Sequence, residues 1–85
     1  MALEKEVMEV LEAALSLRGR SASFGRSTVL LGALPELDSM GVLNVITMLE
    51  ERFGITIHDD AIDGAAFSTV GTLADWLAVQ VGPTL

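Results

Sequence analysis

The chain has 85 residues, no cysteine, and 12 acidic against 5 basic side chains, which give a net charge of −7. This length predicts a single domain over residues 1–85, because chains divide into domains only at much greater lengths. The acidity argues against nucleic acid as a ligand, and the absence of cysteine excludes disulfides and thiolate metal sites. No apolar run approaches the roughly 20 residues that cross a bilayer. We therefore expect a cytoplasmic, monomeric protein with no membrane span.

The charge is distributed unevenly along the chain. Residues 1–27 hold four acidic and four basic side chains, whereas residues 28–85 hold eight acidic side chains and Arg52 alone as a base. The whole net charge therefore belongs to the second segment. An acidic surface of this kind repels anions and attracts basic partners.

The first predicted element is an amphipathic helix from Leu3 to about Leu17. Apolar residues recur there at helical spacing, at Leu3, Val7, Val10, Ala14 and Leu17. Arg18 in the last turn and Gly19 after it are typical stop signals.

Residues 18–38 form a long predicted connection, rich in Gly and Ser at its start. Loops of this length are uncommon in small domains and are either functional or held by their own side chains. The expected anchors are four leucines, namely Leu30, Leu31, Leu34 and Leu37.

The second predicted helix runs from about Ser39 to Phe53. Its core stripe consists of Val42, Val45, Ile46, Leu49 and Phe53. The opposite face carries Met40, Leu43, Asn44, Thr47 and Glu51. Exposed apolar residues beside acids indicate a docking surface, although Leu43 is equally compatible with a position covered by a neighbour.

The remaining elements complete an all-α fold. Gly54 ends the second helix, residues 59–64 form one short helical turn with Gly64 as its stop, and Thr69 caps the last helix. The core face of that helix holds Val70, Leu73, Ala74, Leu77 and Val81, and Gly82-Pro83 ends it. The expected architecture is a small four-helix bundle, with three principal helices, one short helix and a long first loop.

Ser39 is the main candidate for chemistry. A hydroxyl at a helix start lies where free N–H groups and the helix dipole favour a phosphate ester, but Ser is also a common N-cap. A hydrolase nucleophile needs a nearby base. His58, the one histidine, follows the far end of a helix about 22 Å long, so the sequence predicts no enzyme.

The acidic side chains after the second helix allow two interpretations. Asp59, Asp60 and Asp63 are oxygen ligands that suit Ca²⁺, but their spacing lacks the pattern of a calcium loop, and a solvated acidic turn is the simpler alternative. Together with Glu50 and Glu51 they form either a solvated face or part of the docking surface.

The stretch Leu37-Asp38-Ser39-Met40, the helix that follows it and its ending Leu49-Glu50-Glu51-Arg52-Phe53-Gly54-Ile55 closely resemble acyl carrier proteins. The resemblance extends over nearly the whole chain. It includes the long anchored loop, the acidic turn and Phe67-Ser68-Thr69-Val70 at the start of the last helix.

This resemblance implies a function and a cofactor. Ser39 would carry a 4′-phosphopantetheine arm that a phosphopantetheinyl transferase takes from coenzyme A, and Asp38 matches the residue before the modified serine. The arm's thiol would hold acyl groups as thioesters for loading and processing enzymes with basic docking surfaces. Met40, Leu43, Glu50 and Glu51 would form the docking contacts.

The chain departs from the family pattern at three positions. Gly41 and Asn44 stand where carriers of fatty-acid synthesis tend to have acidic residues, and Arg52 adds a positive charge beside Glu50 and Glu51. A specialised carrier for polyketide, peptide, lipid or polysaccharide assembly is therefore at least as well supported as a housekeeping one. The alternative from another class is an unmodified helical interaction module with the same fold.

Overall fold

The computed structural model describes residues 3–62 and 64–82, and its main elements are three α-helices. α1 spans Leu3–Leu15, α2 spans Ser39–Phe53 and α3 spans Val70–Val81. Short 3-10 turns lie at Arg20–Ser23, Asp59–Ala61 and Gly64–Phe67. Over the described residues the one β-type pairing is an isolated bridge. The prediction of an all-α fold is confirmed.

α1 ends two residues earlier than the sequence predicted. Ser16 and Arg18 have φ of 54° and 58°, and Gly19 has φ of 86°. These left-handed conformations interrupt the helix, so Arg18 lies outside α1. Leu17 is still buried, with 1% exposure, because the turn directs it back into the core.

The long connection between α1 and α2 is attached to the start of α3 by backbone hydrogen bonds. The Leu30 N–H donates to the Ser68 carbonyl at 2.8 Å, and the Val70 N–H donates to the Thr28 carbonyl at 3.1 Å. These bonds flank the bridge between Val29 and Thr69. The loop is therefore held by its main chain as well as by its side chains.

Of the four leucines expected to anchor this loop, three do so. Leu30 and Leu37 are buried, and Leu34 packs half-buried against the core. Leu31 is 45% exposed, so its assignment as an anchor was wrong. Its N–H bonds the Phe67 carbonyl, and in this local pairing the side chain of Leu31 faces outward while that of Leu30 faces the core.

The limits of α2 and α3 agree with the sequence. Gly54 ends α2 with φ of 65°, and its N–H donates to the Glu50 carbonyl. Thr69 caps α3, where its hydroxyl accepts from the Thr72 N–H, and Gly82 follows the last helical residue. Pro83 lies outside the described residues.

The short helix expected at residues 59–64 is replaced by two 3-10 turns. Gly64 begins the second turn and does not end the first. The second turn buries Ala66 and Phe67, and this burial draws the chain inward before α3. Asp63 lies outside the described residues.

The core is one cluster of apolar side chains shared by all three helices. α1 packs against both α2 and α3. Trp76 is half-buried beside this cluster, and its indole N–H donates to the Ala61 carbonyl at 3.0 Å. Within residues 3–62 and 64–82, every helix is too short or too polar to traverse a bilayer.

Candidate functional site

The start of α2 is capped by Asp38, not by Ser39. Asp38 has an extended backbone, and its Oδ1 accepts a hydrogen bond from the Gly41 N–H at 2.8 Å. Its carbonyl accepts the first helical bond, from the Val42 N–H at 2.9 Å. The interpretation of Ser39 as an N-cap is therefore wrong, because the preceding carboxylate occupies that role.

Ser39 is the first residue of α2 and its side chain is exposed. Among the described residues its hydroxyl has no hydrogen-bond partner. The first N–H groups of a helix also lack partners within the helix, and they carry the positive end of the dipole. The Ser39 hydroxyl is thus accessible, uncommitted and located where a phosphate group is favoured.

Gly41 provides the close approach that positions this turn. A Cβ atom at Gly41 would lie 2.4 Å from the Glu36 carbonyl oxygen and 3.0 Å from Leu15 Cδ2. The residue is buried, so no larger side chain fits without a backbone shift. Gly41 therefore does not count as a position where the outer surface lacks an acid, because this position faces inward.

The outer face of α2 consists of Met40, Leu43, Asn44, Thr47 and Glu51, all of which are exposed. Met40 is 65% exposed and Leu43 is 53% exposed. The open question about Leu43 is thus answered in favour of exposure. The face begins one residue after Ser39 and continues along the helix.

Glu50 and Glu51, expected to act together, have different surroundings. The Glu50 carboxylate is half-buried, and its Oε2 accepts from the Ile57 N–H at 2.7 Å. Glu51 is exposed, and among the described residues its carboxylate has no partner. Glu50 therefore holds the chain after α2, whereas Glu51 faces solvent.

Arg52 points away from the outer face of α2. Its Nη1 donates to Glu6 at 2.6 Å and to Glu9 at 2.8 Å, both on α1. The hydrogen bond from Arg52 lowers the pKa of the Glu9 carboxyl below its ordinary value. The Arg52 guanidinium thus links α2 to α1 through two ion pairs. It does not neutralise the negative charge of Glu51 on the outer face.

Two acidic residues that the sequence analysis did not select hold the chain between α1 and α2. Glu36 forms an ion pair with Arg20, and hydrogen bonding by its own N–H lowers the pKa of its carboxyl. Glu12 accepts from the Gly19 N–H at 2.9 Å and from the Ser21 hydroxyl at 2.6 Å. These contacts join residues that are 7 to 16 positions apart in the chain, so helical spacing gives no signal for them.

An open cleft of about 510 Å³ lies between the end of α1 and the loop that leads to α2, and it does not include Ser39. The residues that line it come from the end of α1 and the loop, namely Leu15, Ser16, Leu17, Arg18, Arg20 and Glu36.

The acidic turn after α2 forms no recognisable metal centre in the described part of the chain. No three His, Asp or Glu side chains among those residues approach closely enough to hold a metal ion, and Asp63 lies outside them. His58 and Asp60 are both exposed. His58 follows α2 at the end opposite Ser39, so the structure does not bring the two residues together.

Comparison with known proteins identifies the family. A family model described as a phosphopantetheine attachment site matches residues 36–77. The solution NMR structure of a holo acyl carrier protein from Nitrosomonas europaea matches with a TM-score of 0.84 and 43% sequence identity, covering 95% of this chain and 96% of that one. The chain belongs to the acyl carrier protein family. A comparison with curated proteins gives no match.

Membership establishes the class of function and the cofactor. An acyl carrier protein has a covalently attached 4′-phosphopantetheine and carries acyl groups without catalysing their reactions. Carriers of this family interact with phosphopantetheinyl transferases and with acyl-processing enzymes. The unmodified interaction module considered above is therefore not favoured.

Proposed function

We propose that Ser39 is the residue of this acyl carrier protein that bears the phosphopantetheine arm. The observation that carries this proposal is the exposed Ser39 hydroxyl, without a partner among the described residues, at the start of α2. Residues 36–77 contain two serines, Ser39 and Ser68. Ser68 precedes the cap of α3 and lies outside the helix, so it lacks the favourable position of Ser39.

The local groups suit a phosphodiester on Ser39 Oγ. The N-terminal N–H groups of a helix attract an anion, and α2 has 15 residues. The Asp38 carboxylate lies next to the site, but its Oδ1 accepts from the Gly41 N–H. We propose that Asp38 fixes the helix start and thereby the position of Ser39.

The proposed cycle uses this site as an attachment point. A separate transferase moves phosphopantetheine from coenzyme A to Ser39 Oγ, forming a phosphodiester and releasing the adenosine bisphosphate portion. The thiol of the bound arm then holds acyl groups as thioesters. We propose that this takes place in the cytoplasm, because the thiol has to stay reduced to be loaded.

The docking proposal assigns α2 as the recognition helix. Met40 and Leu43 supply apolar contacts on the outer face, and Glu51 supplies a carboxylate further along it. Glu50 lies at the edge of that face, and its carboxylate also accepts a hydrogen bond from the Ile57 N–H. Partner enzymes with a basic surface fit this arrangement, since the chain carries a net charge of −7.

The proposal for the pathway rests on the neutral side chain of Asn44. Asn44 is an exposed, neutral residue on the outer face of α2, where carriers of fatty-acid synthesis tend to have an acid. We propose that the chain serves a specialised assembly pathway for a polyketide, peptide, lipid or polysaccharide. We also propose that residues 1–85 act as one carrier domain, which is supported by the single core that its helices share.

Intact mass spectrometry tests the attachment site. The apo protein is incubated with coenzyme A and a broad-specificity phosphopantetheinyl transferase, and we expect a mass gain of one arm. Ser39→Ala should abolish this gain, and Ser68→Ala, the matched control, should keep it. A gain that persists in Ser39→Ala, or no gain in the parent with several transferases, contradicts the proposal.

A further inference from the structure

The cleft between the end of α1 and the loop that leads to α2 combines apolar and polar groups. Leu15 and Leu17 line it and are buried. The other lining residues are polar and come from both sides of the cleft, namely Ser16, Arg18, Arg20 and Glu36. The cleft is therefore suited to a molecule that has apolar and polar parts of its own.

The backbone beside the cleft is strained. Ser16 and Arg18, with φ of 54° and 58°, are the two non-glycine residues of the described chain that adopt a left-handed conformation. Such conformations cost free energy, persist only where other contacts enforce them, and are frequent at ligand sites. Here Glu12 supports the turn, because its carboxylate accepts from the Gly19 N–H at 2.9 Å. The fold itself thus sets the shape of the cleft.

Two charged groups in the cleft are not fully engaged by the protein. The Oε2 atom of Glu36 pairs with Arg20, whereas its Oε1 atom is buried and accepts no hydrogen bond from another described residue. The Arg18 side chain is exposed, and among the described residues its guanidinium has no hydrogen-bond or ion-pair partner. A buried acceptor without a donor is costly, so Oε1 calls for a further hydrogen-bond donor.

These groups define the class of ligand. A free anion would suit Arg18, but it would also meet the Glu36 carboxylate and the net charge of −7 of the whole chain. A neutral amide or hydroxyl group both donates and accepts hydrogen bonds. Such a group would serve Glu36 Oε1 and Arg18 together, and an apolar stretch beside it would lie against Leu15 and Leu17.

The cleft lies within reach of the proposed attachment residue. Glu36 precedes Ser39 by three residues, so their Cα atoms are at most about 11 Å apart. Beyond its phosphate, a phosphopantetheine arm carries a pair of methyl groups, a hydroxyl and two amides along a flexible chain. A flexible tether of this kind gives an effective concentration of about the millimolar range. Weak polar contacts are then sufficient to hold the arm.

We propose that this cleft is a resting site for the phosphopantetheine arm while no enzyme holds it. Glu36 Oε1 accepts a hydrogen bond from the hydroxyl or an amide N–H of the arm, and the Arg18 guanidinium donates to an amide carbonyl. This inference rests on the proposed function and extends it, because the proposed function assigns only the point of attachment. An enzyme that takes the arm breaks only these weak contacts.

NMR spectroscopy of the apo and holo protein tests the resting site. Attachment of the arm should change the backbone amide shifts of residues 15–20, and NOEs should connect protons of the arm to methyl groups of Leu15 or Leu17. Residues 36–42 are left out of the shift comparison, because they are close to Ser39 in the chain and respond to any attachment. Each variant is compared with its own apo form, so that the effect of the substitution itself cancels.

Glu36→Ala removes the acceptor, and we expect it to lower the ratio of docked to free arm about fivefold, read from the arm-dependent shifts. Glu36→Gln keeps an oxygen that accepts, so it should retain most of the shift change. Arg18→Gln alters an exposed side chain and should lower the ratio about twofold. The matched control is Asp60→Ala, which removes an exposed carboxylate after α2 and should behave as the parent does.

Two results would overturn the resting site. One is a holo parent whose arm gives no NOE to Leu15 or Leu17. The other is a shift change at residues 15–20 that is as large in Glu36→Ala and Arg18→Gln as in the parent. Both leave the attachment at Ser39 intact, because intact mass spectrometry first shows that each sample bears the arm. A parent that gains no arm contradicts the proposed function, and the inference fails with it.

Discussion

The two sides of α2 use charged residues in opposite ways. On the side that faces α1, carboxylates and arginines meet one another, as Arg52 does with Glu6 and Glu9. On the outer face, Glu51 has no partner among the described residues and shares that face with exposed Met40 and Leu43. The same residue types thus serve the fold on one side and remain available to a partner on the other.

Two arginines of residues 1–27, the segment without net charge, also pair with carboxylates of the protein itself. Arg26, in the long loop, bonds Glu4 of α1 and Asp75 of α3, and Arg20 bonds Glu36 ahead of α2. These groups are partly exposed, so each pair adds little stability. They do occupy carboxylates within the protein, whereas Glu51 has no such partner among the described residues.

The largest loss of stability is expected from a substitution at Gly41, in the first turn of α2. Gly41→Ala places a Cβ against the Glu36 carbonyl oxygen at 2.4 Å. The overlap costs about 3 kcal/mol, and the better helix propensity of alanine returns up to about 1 kcal/mol. Urea unfolding should therefore show a net loss of about 2 kcal/mol.

Asn44→Ala is the matched control, since it changes an exposed residue of the same helix, and it should stay within about 0.5 kcal/mol of the parent. If Gly41→Ala were as stable as this control, the close approach of α2 to Glu36 would not be the feature that positions the start of the helix.

Removing the cap should have the next largest effect. Asp38→Ala leaves the Gly41 N–H without its acceptor and should cost about 1 kcal/mol in urea unfolding. Asp38→Ser restores an acceptor but not the charge, so it should recover most of that stability. A serine variant as unstable as the alanine variant would mean that the charge of Asp38, not its capping bond, supports α2.

The smallest effect is expected at Glu12 of α1, whose hydrogen bonds should make the stability of the protein depend on pH. Hydrogen bonds from the Ser21 hydroxyl and the Gly19 N–H lower the pKa of the Glu12 carboxyl below its ordinary value of 4.5. A lowered pKa in the folded state contributes stability that is complete above the ordinary value and disappears as the pH falls through the folded value. Glu12→Gln should therefore be less stable than the parent at neutral pH, and this difference should shrink in acid.

Thermal unfolding of both proteins from about pH 7 to about pH 3 measures this convergence. Glu51→Gln provides the control, because it removes one exposed carboxylate that has no partner among the described residues. A constant difference between Glu12→Gln and the parent at every pH would contradict the role of the ionised Glu12 carboxylate.

The helices were predictable because their signals are local. Asp38-Ser39 and Gly54 bracket α2, and Thr69 begins α3 as expected. Errors arose where distant residues compete for a backbone conformation. α1 stops at Leu15 because Glu12 binds the turn that follows, and the chain near Gly64 bends to bury Phe67. Neither contact is encoded in the spacing of neighbouring residues.

The candidate site divides in the same way. The exposure of Met40 followed from helical periodicity, whereas that of Leu43, which the sequence left open, was decided by the structure. The roles of Gly41, Glu50 and Arg52 did not follow from periodicity either, because each is set by a group far along the chain or by a close backbone approach. The charge of −7 on 85 residues likewise follows from the sequence alone. Which carboxylates remain free for a partner was decided only by the tertiary structure, because hydrogen bonds and ion pairs between elements determine which charges the fold itself uses.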